Sequence, residues 1–177
     1  MTGYSFRTKV KHDASGDLAV IQMKDLEEHY QKIGNQMTMI SSSEVPSKYY
    51  LQKGDVLFIA KGANNYALVF NGDYRAVATS AFFVLRPSRT QLIPEYLAWF
   101  INQNSTQRFL EEKRSGTYIP SVNKKTLMSI NLKCPSIEKQ KQIAQIVQLS
   151  KKEQQIYSRL KESKKLILDT LLQNAIN

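Results

Sequence analysis

One loop of this 177-residue chain, Lys61-Gly62-Ala63-Asn64-Asn65-Tyr66, mixes cation, amide and aromatic side chains in a way that suits nucleic acid. Basic groups anchor phosphates, and an asparagine amide can bond adenine at N6 and N7 together. Asn64 or Asn65 is therefore a candidate base reader, with Lys61 and Tyr66 beside it. The same letters also describe an Asn-rich turn chosen for its backbone conformation, and both readings stay open. A second polar loop, Arg114-Ser115-Gly116-Thr117, combines donors with a glycine that permits close approach, and Lys124 and Lys125 follow it. Arg75, Arg86 and Arg89 fall near strand ends, where they could contact DNA or simply be solvated.

Bond-breaking chemistry has no comparable set of residues. The chain lacks a G-x-x-x-x-G-K-[ST] phosphate loop, a G-x-G-x-x-G turn and a nucleophile elbow. Its two histidines, His12 and His29, have no companion at metal-ligand spacing, so no metal site is expected. Glu95 with Glu111-Glu112-Lys113 imitates a nuclease pattern in which carboxylates hold Mg²⁺ and a lysine assists. Both pieces fall on predicted helices, whereas such sites are built on neighbouring strands. A glycine-bearing S-adenosylmethionine loop is not legible either. The sequence reads as a binding protein with no catalytic residues.

Charge points the same way. Lys and Arg number 25 against 15 Asp and Glu, a formal +10 that favours a polyanionic partner such as DNA, RNA or an anionic membrane surface. The excess is uneven. Residues 1–60 are balanced, with seven of each sign, whereas residues 121–177 hold eleven basic and four acidic groups. Cys134 is the only cysteine, which excludes an internal disulfide and a Cys-rich zinc site. The first residues lack a signal peptide's apolar core, and no apolar run approaches a membrane span, so a cytoplasmic protein is expected.

Short strands must position the first loop. Leu18–Met23, Asp55–Ala60, Tyr66–Phe70 and Ala76–Leu85 are compact apolar runs bounded by Gly, Asn and Asp, with Asn71-Gly72-Asp73 as a hairpin signal. After Pro87 the pattern turns helical. Pro94 suits a first turn, with Glu95 at the positive dipole end and Tyr96, Leu97, Trp99, Phe100 and Ile101 as the apolar face. Asn104 or Ser105 can cap a second helix through Arg114, ended by Ser115-Gly116. A short element carrying Leu127 and Ile130 leads to Pro135. From Ser136, a plausible N-cap, to about Ala175 there is no Pro or Gly, which predicts a rod of about 60 Å. Ile146, Leu149, Ile156, Leu160, Ile167 and Leu171 form a heptad-like seam on it, interrupted by Glu153 and Lys164. Such a seam suits another helix, from a second chain, or the helix's own domain.

The chain resembles the DNA-specificity (S) subunits of type I restriction–modification systems. Leu51-Gln52-Lys53-Gly54-Asp55-Val56-Leu57-Phe58 is similar to the family's L-x-x-GD-hydrophobic-LF strand, and Ile93-Pro94-Glu95-Tyr96-Leu97 to its P-x-Y-L helix start. Ser115-Gly116 with Ile119-Pro120-Ser121-Val122-Asn123 resembles its glycine loop. The junction from Leu127 through Lys133-Cys134-Pro135-Ser136-Ile137-Glu138-Lys139-Gln140 to Ile143 resembles the segment that joins recognition domain to conserved helix. Lys133 stands where the family has its first proline, and Lys139 where it has glutamate.

The resemblance implies an α+β fold: a mixed sheet-and-helix target recognition domain at 1–135 and a long spacer and dimerisation helix at 136–177. A complete family member carries two of each, so this chain is expected to be a half-subunit. Two copies would pair their helices as an antiparallel coiled coil and read a bipartite inverted repeat in double-stranded DNA as a homodimer. The partners implied are adenine methyltransferase subunits, which would hold S-adenosylmethionine, and in some systems a restriction subunit. This chain would hold no cofactor. The alternative is an interaction-only decoy that binds methyltransferase subunits without reading DNA.

Overall fold

The computed structural model describes every residue except 28, 29, 31, 63, 89, 117–119 and 177. Two three-stranded sheets lie face to face. In the first, β1 (Leu18–Ile21) is central, antiparallel to β4 (Thr38–Ile40) and parallel to β7 (Ala76–Ala78). In the second, β5 (Val56–Ile59) is central, with β6 (Ala67–Val69) and β8 (Phe82–Leu85) antiparallel on either side. A ribbon of β2 (Leu26–Glu27) and β3 (Lys32–Ile33) extends from the first sheet's chain.

The alternation of side chains along each strand explains why both central strands are unbroken apolar runs. Leu57 and Ile59 of β5 meet Ala19 and Ile21 of β1 in the core between the sheets, with Phe70 and Phe82. Val56 and Phe58 point the other way, onto a layer of helices. Leu18 and Val20 turn outward beneath Ile40, Val45 and the aromatic rings of Tyr4, Phe6 and Tyr49. Every strand residue of β1 and β5 is therefore buried, on one face or the other.

The helical layer is α1 (Pro94–Ile101), α2 (Asn104–Glu112) and α3 (Lys124–Met128). Leu97, Ala98 and Ile101 of α1 join Leu110 of α2 and Leu127 of α3 against the second sheet. The chain then runs into α4, a single helix of 40 residues, Ile137–Ile176. Only its first turns touch the rest of the molecule, chiefly α1. Every described residue from 148 onward is exposed, so about 43 Å of helix stands clear.

Four expectations from the sequence change. The hairpin at Asn71-Gly72-Asp73 does not form, because β6 and β7 belong to different sheets. Phe70 stays bonded to the start of β5 through Gly54 and Asp55, Lys53 holds Asp73 at 2.6 Å, and the chain crosses to the first sheet. The run Ala76–Leu85 is two strands, split by a turn in which the Phe82 N–H donates to the Thr79 carbonyl. The first strand stops at Ile21, where Asp25 accepts from the Gln22 N–H and closes a 3₁₀ turn over Met23–Asp25. Finally, α2 is opened by the Gln103 carbonyl, which accepts from the Gln107 N–H, without a side-chain cap from Asn104 or Ser105, and it ends at Glu112.

Candidate nucleic-acid interface

Main-chain pairing brings the two polar loops into one surface. Beyond β5, Lys61 bridges Ser121, the Gly62 N–H donates to the Pro120 carbonyl at 2.8 Å, and the Val122 N–H donates to Ala60. Ser115 and Ser121 exchange N–H···O bonds of 3.1 and 2.9 Å. Segments some sixty positions apart in sequence thus form a continuous edge carrying Lys61, Asn64, Ser115 and Gly116, all exposed. Gly62 and Gly116 have φ of +112° and +102°, the left-handed region in which a side chain is strained, and this sharp turning seats the loops together.

Below this edge lies a cleft of about 530 Å³, bordered by Thr2, Ser5, Lys61, Ser80, Ser121 and Asn123. Its floor is largely apolar, with Ala60, Phe83 and Val122, and its hydroxyl, amide and ammonium groups are the ones that suit a phosphate–sugar backbone. Asn123 is also the cap of α3, its Oδ1 accepting from the Thr126 N–H at 2.8 Å. Lys124 and Lys125 follow it on α3 and are exposed. The sequence reading missed Thr2, Ser5 and Ser80 as members of this surface, since only the pairing of the amino-terminal segment with Ala78 and Phe82 brings them there.

Asn65 does not share this surface. It is 2% exposed, and its Nδ2 donates to the Ile59 carbonyl at 2.9 Å while its own carbonyl accepts from Gln107. It closes the loop from inside, whereas Asn64 is exposed. Tyr66 is half-buried and stacked on Tyr30 with ring centres 6.3 Å apart. Asn102 then pairs both its amide atoms with the Ala67 backbone, at 2.8 and 2.7 Å, tying the end of α1 to β6.

The arginines are scattered. Arg75 pairs with Asp17 on the first sheet at 3.1 Å. Arg86 grips Asp55 with two bonds of 2.7 Å and also reaches the Tyr50 carbonyl. Asp55 is 1% exposed, and its bonds hold the Arg86 guanidinium proton still more firmly than usual. Arg86 is thus a structural clasp across the Gly54-Asp55 turn. Arg114 bonds Glu111 at 2.9 Å on leaving α2. Arg89 and Thr117 lie outside the described residues. Glu95 lies in the first turn of α1, and no group of three or more metal-ligating side chains exists among the described residues.

A residue the sequence reading passed over holds the long helix in place. Gln140 is fully buried. Its Oε1 accepts from the Ile93 N–H at 2.8 Å, where α1 begins, and its Nε2 donates to the carbonyls of Gln91 and Pro135 at 3.1 and 2.9 Å. Tyr96 adds a bond of 2.6 Å to the Lys133 carbonyl. Ser136 accepts from the Lys139 N–H, and the Glu138 carboxyl sits below the usual glutamate range because the first-turn backbone N–H and Ser136 stabilise its charge. The signal was present: Gln140 follows Ile137 by three and precedes Val147 by seven, a polar group on the inward stripe.

The arrangement is therefore a loop-edged, basic α+β domain joined by buried hydrogen bonds to the base of a bare helix. Residues 1–165 match the type I restriction modification DNA specificity domain. The chain belongs to this family, whose members confer DNA specificity and are not catalysts. It is 30% identical over 106 residues to the Type I restriction enzyme HindI specificity subunit of Haemophilus influenzae, a match covering 57% of this chain and 23% of that protein. The fold is similar to the crystal structure of the HsdS subunit from Thermoanaerobacter tengcongensis, with a TM-score of 0.65 at 21% identity over 80% of this chain and 37% of that one. The chain matches well under half the length of either relative. No helix among the described residues is long and apolar enough to cross a membrane.

Proposed function

We propose that this chain is a DNA-reading half of a type I specificity subunit, with residues 1–135 as the target recognition domain and 136–177 as spacer. Two copies pair α4 as an antiparallel coiled coil. Their domains read the inverted halves of a bipartite site, and the paired helices dock adenine methyltransferase subunits, with or without a restriction subunit. S-adenosylmethionine belongs to the methyltransferase, and this chain carries no cofactor and no metal. Lys61, Lys124 and Lys125 hold phosphates, while Asn64 and the Ser115-Gly116 loop face the bases. A cytoplasmic location follows from that role.

The observation that carries this reading is the bare helix. A single domain is clamped to its base by Gln140, and its outer 43 Å or so presents large apolar side chains to solvent. Monomers rarely expose a continuous apolar surface beyond a few hundred Å², so the helix calls for a partner. The test is selection from a random DNA pool by the chain co-purified with its methyltransferase. An enriched inverted repeat with a fixed gap is expected. An asymmetric site would replace the homodimer with a heterologous half, and an intact complex without enrichment would leave only a methyltransferase-binding decoy.

A further inference from the structure

The exposed face of α4 repeats every eleven residues. Ile146, Tyr157 and Leu168 form one series, and Leu149, Leu160 and Leu171 a second. A third series is Glu153, Lys164 and Ala175. Eleven residues make three turns at 3.67 residues per turn, so the three series run nearly straight along the helix as one stripe. The six apolar members are between 47% and 65% exposed. The two charges that interrupt the heptad seam occupy the same place in successive repeats.

That placement selects a partner. We propose that the stripe is covered by a second copy of this chain in one antiparallel register, with the twofold axis between Ser158 and Arg159, fixed by reciprocal Glu153–Lys164 pairs. Residues equally far from that axis then meet. Ile146 faces Leu171 of the second copy, Leu149 faces Leu168, Tyr157 faces Leu160, and Glu153 faces Lys164, each contact occurring twice. Sliding the axis by half a repeat preserves the apolar contacts nearest to it but puts Glu153 against Glu153, or Lys164 against Lys164. A parallel, in-register pair makes both like-charge contacts at once. The charges therefore admit one register and penalise its neighbours, as charged and polar seam positions do in coiled coils generally. The register also sets the two Gln140 anchors about 55 Å apart along the rod. The inference rests on the dimer reading and adds its geometry.

Sedimentation of the full chain with Glu153→Lys, Lys164→Glu and the double reversal tests it. Each single reversal turns two attractions into repulsions and is expected to weaken dimerisation at least about tenfold at low salt, and the double reversal to recover it to within about threefold. Both positions are exposed, so circular dichroism should be the same throughout. In a Cys134→Ser background, Leu149→Cys with Leu168→Cys should oxidise to a covalent dimer. These two residues are about 28 Å apart within one helix, so no internal link competes. A wild-type chain that stays monomeric at micromolar concentration overturns the dimer and its register together. A dimer indifferent to both single reversals and refractory to the cross-link overturns the register alone.

Discussion

Replacing Gln140 should loosen the whole joint between domain and helix. The side chain is fully buried and makes three bonds, to the Ile93 N–H and to the carbonyls of Gln91 and Pro135. Gln140→Met keeps most of the volume and removes every bond, leaving one donor and two acceptors of the main chain without their partner. A net hydrogen bond contributes about 1 kcal/mol, and an orphaned buried group costs about 1–3 kcal/mol. The carbonyls keep a second lone pair for other donors, so the donor dominates, and a total of about 3 kcal/mol follows. For a chain of this size that is a fall in melting temperature of about 6–12 °C. Gln140→Ala adds a cavity and should lose about 2 kcal/mol more. Thermal melts give the totals, and amide exchange at Ile93 gives the local term, which should rise well beyond that of β5 amides. A Met variant as stable as the wild type, with Ile93 still protected, would show that apolar packing alone seats the helix.

Arg86→Met leaves the Asp55 carboxylate buried with only the Gln52 N–H, and should cost about 2 kcal/mol in urea unfolding, below the fully buried figure because Arg86 is itself 42% exposed. Asn64→Ala should relax discrimination at one base pair by about 1–3 kcal/mol with an unchanged melt, whereas Asn65→Ala should lose about 1 kcal/mol of stability without a base-specific effect; competition binding and melts on both variants separate the two roles. Lys124→Ala should weaken binding to all DNA alike and reduce the slope of log affinity against log salt by about one, read from a salt titration. Asp17 is held below the usual aspartate range by the Ser42 N–H and then by Arg75, so it contributes stability above pH 3.8 that is lost as pH falls through its lower folded value. The melting gap between wild type and Asp17→Asn should be constant at neutral pH and close below pH 3.8; a gap that widens on acidification would contradict this sign.

The order of elements was largely legible from one dimension, because each rests on neighbours in sequence. An unbroken apolar run bounded by Gly54-Asp55 and Gly62 marks β5, Pro94 opens α1, and the absence of Pro and Gly after Ser136 leaves α4 nothing to stop it. The family resemblance likewise rests on such local runs. Pairing between distant segments was not legible. Nothing in Asn71-Gly72-Asp73 says that the strands on either side enter different sheets, since a turn residue fixes local angles and not the sheet that follows. The roles of Asn64 and Asn65 separate only once Ile59 and Gln107 are in place to capture one of two adjacent amides.

Sequence by itself determined a basic chain of short buried strands followed by one long helix, because hydrophobic period, helix-compatible composition and net charge are sums over local residues. Tertiary structure decided where function can reside. The bridge from Lys61 to Ser121 makes one surface of two loops, Arg86 is removed from that surface by the carboxylate it must neutralise, and Gln140 turns a helix boundary into a fixed joint. Each of these depends on a polar group finding a partner far along the chain, which lowers the cost of burying it and which no local run of residues encodes.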